Sequence, residues 1–469
     1  MAQNPIKQPS RDTLTTINAD GSRYAIHTAD VRGRFQRWRR LTGWLLIGLF
    51  VALPWIQING HPAVFFNFPQ QRFHLFGVTL AFQDTWLLFF VVTGLAFGIF
   101  FVTALFGRVW CGWACPQTVY LDQVFRRLER WIEGDAPARR RLDAAPWTAQ
   151  KVFKRGIKHT LFLLCSAVIA HIFLSYAVSL PRLWEMMHTS PIEHWTAFIF
   201  VFGVTAVFYA NFTWFREQLC IVICPYGRFQ GALIDDHSLN VAYDAQRGDP
   251  PGKPRDPTAG DCIDCHRCVQ VCPTGIDIRQ GLQLECIGCT ACIDACDSIM
   301  DKLGKPRGLI RYASQEELEG RKTRFVRTRT VIYSVLLVVG TIVASLSLRS
   351  IQPAEVATVR MLGMPFFVTD THVRNQFSVR IINKSMETMH FQVTATTESP
   401  LPLEVRGVDG LLTVEPLKEI LATLVVQVPR EAFQGNFPFT LHAVNASPEV
   451  VHTRRLEFLG PDPRLLHAR

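Results

Sequence analysis

Eight of the chain's thirteen cysteines fall between Cys262 and Cys296, in two copies of one spacing. Cys262, Cys265, Cys268 and Cys272 read C-x2-C-x2-C-x3-C and run into Pro273; Cys286, Cys289, Cys292 and Cys296 repeat the spacing and run into Asp297. Gaps this short let one tight loop present three thiolates to a single 4Fe-4S cubane, while the fourth cysteine starts a helix and reaches a second cubane. Crossed ligation follows: Cys262, Cys265, Cys268 and Cys296 on one cluster, and Cys286, Cys289, Cys292 and Cys272 on the other.

Zinc is the competing metal for this ferredoxin-like run, since C-x2-C pairs also build zinc ribbons. Ribbons pair two such units across a longer gap, without three cysteines in step and a fourth beyond them. A disulfide framework fits less well, because closely spaced cysteines in a reducing cytosol serve as metal ligands. Asp297 in place of a proline bears on cluster geometry or potential rather than on ligation, since the proline shapes a turn and binds no iron. His266, inside the first run, reads as a solvated loop residue.

The flanking chain points to a membrane. Of 469 residues 48% are apolar, with 34 Phe and 11 Trp, which is high for a soluble protein. Five uncharged apolar stretches are long enough to cross a bilayer: Leu41 to Asn59, Thr85 to Phe106, His159 to Leu180, Trp195 to Phe215, and Thr330 to Leu348. The first is the least regular, since it holds Pro54 and Gln57. Residues 1–40 are polar and end in a basic run at Arg32, Arg34, Arg37, Arg39 and Arg40. No small-residue cleavage site follows the first apolar stretch, so it reads as an uncleaved anchor.

Orientation comes from Lys and Arg in the short connections. Gly107 to Lys158 carries eleven of them against five acids, whereas His61 to Asp84 and Pro181 to His194 carry one Arg each. The basic connections are therefore expected in the cytoplasm, together with the N-terminus and the insert at 216–329. Everything after Leu348 is expected outside. The formal charge of +10 is then largely a topology signal, which argues against a nucleic-acid partner. The expected division is a cytoplasmic segment 1–40, four spans in 41–230, the two-cluster insert 231–329, a fifth span 330–348 and a periplasmic domain 349–469.

Residues 353–469 alternate apolar and polar positions, as in Phe377-Ser378-Val379-Arg380-Ile381 and Leu424-Val425-Val426-Gln427-Val428, with Gly, Pro and Asn between. Short strands at regular intervals predict an antiparallel, immunoglobulin-like β-sandwich. It holds no cysteine, so no disulfide staples it.

Four more cysteines sit just past two of the spans. Cys111-Gly-Trp-Ala-Cys115-Pro116 follows the second, and Cys220-Ile-Val-Ile-Cys224-Pro225 follows the fourth. Two spans and a motif, then two more spans and a motif, look like a parallel duplication. On a helix the i, i+4 spacing puts both sulfurs on one face. Two such pairs brought together supply up to four thiolates, a soft site for Cu(I), zinc or an iron–sulfur centre, among which spacing does not choose. A single pair would read as helix packing, as Cys165 does; two in matched positions point to a metal or redox site. His171, Met361, Met364, Met386, Met389 and His390 read as packed or surface residues, and Asp235, Asp236 and His237 as a turn.

Together these features resemble the CcoG/FixG/RdxA family. The resemblance rests on C-G-W-A-C-P-Q at Cys111 to Gln117, C-P-Y-G-R-F-Q at Cys224 to Gln230, the double cysteine run, five spans and a sandwich tail, and it covers nearly the whole chain. It implies an inner-membrane polyferredoxin that reduces Cu(II) to Cu(I) for the haem–copper centre of cbb-type cytochrome c oxidase. It further implies contact with copper-handling and oxidase-assembly proteins, and a copper site at Cys111, Cys115, Cys220 and Cys224. Two other classes compete: an electron conduit from quinol or ferredoxin to a protein partner, and a scaffold whose clusters are structural staples. The reaction needs no general acid or base, since only an electron moves. The cytoplasmic electron donor and any homo-oligomer are left open.

Overall fold

The computed structural model describes residues 26–466 except 70, 71, 82, 83, 85, 255, 350, 351, 386, 398–400, 408, 409, 417, 447 and 448. The expected N-terminal segment is thus described only from residue 26, and Met386 lies outside the described residues. The chain forms two compact units: residues 1–57, 62–67 and 88–344, and residues 58–61, 68–87 and 345–469. The cysteine-rich insert and all but the ends of the apolar helices therefore share one unit.

Among the described residues four helices are long and apolar enough to cross a membrane: Trp86–Phe106, Ala149–Ser175, Trp195–Phe215 and Thr328–Leu348. The second begins at Ala149 rather than His159, so Lys151, Lys154, Arg155 and Lys158 lie in its first turns. The stretch expected at Leu41 to Asn59 departs from expectation. Its helix runs Arg34–Ala52, starting inside the basic run and stopping well short of Asn59. Pro54 has no N–H to give the Phe50 carbonyl and so ends the ladder. The Tyr176 hydroxyl donates to that carbonyl instead, at 2.6 Å.

In the insert, strand Asn240–Tyr243 pairs antiparallel with Ile310–Ala313. Helix Ala291–Leu303 packs beside the short helix Arg267–Gln270. The third cysteine of each run, not the fourth, stands at a helix start: Cys268 and Cys292 follow His266 and Thr290, both in the left-handed region at φ 50° and 60°. Asp297 lies inside the longer helix, where a proline would break it. It accepts a hydrogen bond from the Gly308 N–H at 3.0 Å, which accounts for the departure from the first run.

The second unit contains the sandwich. One sheet orders Glu404–Arg406, Glu419–Pro429, His372–Asn383 and Ala354–Arg360; the other orders Leu412–Val414, Met389–Thr396, Phe437–Ala446 and Glu449–Phe458. Alternate side chains of His372–Asn383 point inward, so Val373, Phe377, Val379 and Ile381 meet Phe391, Phe439 and Leu441 in the core. Met389 is buried there as well, while Met361 and Met364 are exposed.

Candidate redox site

Cys262, Cys265, Cys268 and Cys296 line one cavity, with Tyr243, Ile263 and Met300. Cys272, Cys286, Cys289 and Cys292 line a second, with Ile276 and Ile287, and Cys268 borders both. The fourth cysteine of each run thus faces the other run's loop. Burial pushes the Cys268 and Cys296 thiols up to about 12 and Cys289 up to about 11. Thiolates in such apolar surroundings need a metal's positive charge beside them. Two cavities, walled by these thiols and by aliphatic side chains, fit two 4Fe-4S clusters. Among these cysteines only Cys265 is exposed.

The second cysteine set is built differently from expectation. Cys111 lies in the short helix Val109–Trp113, but Cys115 is extended at φ −62°, ψ 126° and precedes the helix Pro116–Tyr120. Cys224 is extended in the same way, at φ −66°, ψ 113°, between a wide turn at Leu219–Ile223 and the helix Pro225–Leu233. A residue before proline is driven out of the helical region, so neither pair sits on one continuous helix face. Two copies of one helix–break–helix unit result.

The two copies interlock through their glutamines. Gln117 and Asn211 exchange side-chain hydrogen bonds at 3.2 and 2.6 Å, and Gln230, fully buried, donates to the Cys111 sulfur at 3.2 Å. Burial pushes Cys111 up to about 11 and Cys220 up to about 12. Their thiol neighbours push each further up, by repulsion between thiolates: Cys115 and Cys224 act on Cys111, and Cys115, Cys111 and Cys224 on Cys220. All four thiols therefore share one locality. Among the described residues no three of His, Cys, Asp or Glu close to the spacing of a single bound ion, and this holds for the cluster cysteines as well.

This locality abuts the second cluster cavity. Cys111 and Cys220 pack against Val271, Ile287, Cys289, Ala291 and Ala295. Trp113 donates to the Tyr312 hydroxyl at 3.2 Å. Arg39 donates to the Gly112 carbonyl at 2.5 Å, and Gln36 to the Cys289 carbonyl at 3.0 Å. Arg108 donates to the carbonyls of Leu284 and of Cys286, the latter at 2.8 Å, and to Gly227 at 3.4 Å.

A buried charge network braces these elements, and sequence reasoning missed it by reading the basic connection only as a topology signal. Asp122 pairs with Arg39 and with Arg126 at 2.6 Å, and Arg126 also reaches Glu217. Glu129 pairs with Arg216 at 2.9 Å and Arg139 at 3.2 Å, and Glu133 with Lys158 at 2.8 Å. The signal available in the sequence was the i, i+4 pairing of Asp122 with Arg126 and the acids interleaved among Arg126 to Arg141. His266 is also more than a solvated residue, since Arg279 reaches its Nδ1 at 3.0 Å.

A dicluster iron–sulfur fold, thiol-bearing breaks at the ends of apolar helices, and a β-sandwich define a membrane ferredoxin-type protein of electron transfer. Comparison with known proteins makes this particular. Residues 215–315 match the family described as a 4Fe-4S dicluster domain, residues 86–134 a 4Fe-4S binding domain, and residues 343–461 the IG-like fold at the C-terminal of FixG. The chain is 38% identical over 446 residues to the protein RdxB of Cereibacter sphaeroides, covering 89% of this chain and 91% of RdxB. It is 37% identical over 443 residues to RdxA of the same organism, again covering 89% and 91%. It is 41% identical over 300 residues to the nitrogen fixation protein FixG of Rhizobium meliloti, covering 60% of this chain and 56% of FixG. The chain belongs to the CcoG/FixG/RdxA family, and its iron–sulfur, oxidoreductase character follows from that membership.

Proposed function

We propose that this protein is a cupric reductase, taking electrons at its iron–sulfur insert and reducing Cu(II) to Cu(I) for the haem–copper centre of a cbb-type oxidase. One observation carries the reading: Cys111 and Cys220 touch the loop of Ile287 and Cys289, so soft ligands stand beside an electron store. When bound, the clusters supply one-electron chemistry. The Cys111, Cys115, Cys220 and Cys224 sulfurs receive the copper substrate, and thiolates favour Cu(I) over Cu(II), which helps draw the reduction forward.

The same reading sets the protein in a bacterial inner membrane, with clusters in the cytoplasm and sandwich in the periplasm. A fifth crossing by the helix Arg34–Ala52 is supported by its ends: Arg39 meets Gly112 beside the insert, and Phe50 meets Tyr176 past the far end of helix Ala149–Ser175. Oxidase-assembly and copper-handling proteins are the expected recipients. The test is to reduce the purified protein anaerobically, add Cu(II) with a Cu(I)-specific chelator, and follow cluster bleaching against Cu(I) release. Matched amounts are expected, with a large loss when the four cysteines are changed to Ser. Clusters that do not react, or full activity in that variant, would remove the proposal.

A second reading is favoured by the 4Fe-4S binding match over residues 86–134, which contains Cys111 and Cys115. Here the four thiols hold a further iron–sulfur centre in an electron conduit to a protein partner. Iron and sulfide analysis separates the two: three clusters' worth per chain supports the conduit, two supports the copper site.

A further inference from the structure

We propose that the cluster held by Cys272, Cys286, Cys289 and Cys292 is the exit cluster, and that Arg108 holds it at a higher potential than the first. The inference rests on the redox reading above but not on copper being the acceptor.

The two cavities differ in position. Cys265 is exposed in the first, whereas the second lies against the thiols of Cys111 and Cys220. An electron entering from a soluble carrier therefore meets the first cluster, and one leaving toward the membrane face departs from the second.

They differ equally in charge. Arg279 lies beside the first cavity but is neutralised by Asp277 at 2.6 Å and Asp264 at 2.5 Å. Arg108, only 6% exposed, makes no ion pair among the described residues, and its buried Nε has no hydrogen-bond partner there. Its donors go to the carbonyls of Leu284 and Cys286 on the second loop. A buried cation without a carboxylate is costly unless some other negative group faces it. Four thiolates around an iron–sulfur core are that group. Each added electron makes the core more negative, and neighbouring cations stabilise the reduced form and raise the potential. The step is a single electron transfer, with the first cluster oxidised, the second reduced and no bond or proton changed.

The test is a redox titration of the full-length protein followed by electron paramagnetic resonance, with no copper present. Cys265→Ser and Cys289→Ser identify which signal belongs to which cluster. The higher-potential signal is expected to be the one altered by Cys289→Ser. Arg108→Gln is expected to shift that signal to lower potential and leave the other in place, with iron content checked in parallel. Arg108→Lys, which keeps the charge, is expected to restore most of the shift. A higher potential for the signal altered by Cys265→Ser overturns the proposal even where an arginine variant fails to load iron. An Arg108→Gln protein that loads iron and leaves the second signal unmoved overturns the assignment to that residue. A failed copper assay leaves the proposal standing, since none of these readouts involves copper.

Discussion

A methyl group on Gly112 would lie 2.3 Å from the carbonyl oxygen of Gly288, so the first thiol motif and the second cluster loop meet backbone to backbone. Gly288 is itself at φ +65° and faces the Arg108 carbonyl. Neither neighbour is a flexible side-chain tip that could swing away. Gly112→Ala is therefore expected to force the loop off the motif, at a cost of about 1–3 kcal/mol from overpacking. Electron transfer out of the clusters should slow while iron content stays at the wild-type level. Stopped-flow reoxidation of the reduced protein measures this; a wild-type rate would show that the contact is not the route.

The pairing of cysteines across the two loops makes a separate prediction. Cys272 lines the cavity of Cys286, Cys289 and Cys292, and Cys296 that of Cys262 and Cys265. Cys272→Ser is expected to perturb the same magnetic signal as Cys289→Ser, and Cys296→Ser the same signal as Cys262→Ser. If Cys272→Ser instead grouped with Cys262→Ser, each run would ligate its own cluster.

How much of this was legible depended on whether the signal was local. The cysteine runs, the alternation around Phe377 and the four long apolar helices are short-range patterns, and the chain reports them directly. The end of the first helix was half legible: Pro54 was visible, but its consequence depends on Tyr176 hydrogen-bonding the Phe50 carbonyl, far away in the chain. Helical spacing suggested one face for Cys111 and Cys115, yet Pro116 already forbade it through its effect on Cys115. The meeting of Gly112 with Gly288 and the partners of Glu129 are tertiary pairings, for which no spacing rule exists.

The first helix allows a test of topology. If it completes a crossing, Arg32 before it and Asn59 after it lie on opposite sides of the membrane, with Arg32 on the side of the iron–sulfur insert. A cysteine placed at Asn59 in intact cells is then expected to react with an impermeant maleimide, while those at Arg32 and Lys253 react only after lysis. Reaction of the cysteine at position 32 in intact cells, with the one at Lys253 still protected, would leave four crossings and put Arg32 on the side of Asn59.

Glu129 gives the sharpest stability prediction. Its carboxyl is almost fully buried, which alone would raise its pKa, but Arg216, then Arg139 and Lys158, outweigh burial and hold it at about 2. The unfolded chain's value is 4.5. The depressed value means the unfolded state binds the proton first as pH falls, so the stabilisation is complete above pH 4.5 and fades toward pH 2. Glu129→Gln leaves buried cations without their carboxylate and is expected to cost about 3–5 kcal/mol near neutral pH. Melting of the detergent-solubilised protein, read by tryptophan fluorescence, should show a wide gap between wild type and variant at pH 7. That gap should narrow as the pH drops from 4.5 toward 2, because protonation does to the wild type what the substitution did to the variant. A gap that stayed constant down to acid pH would mean that Glu129 contributes by shape and packing rather than by its charge.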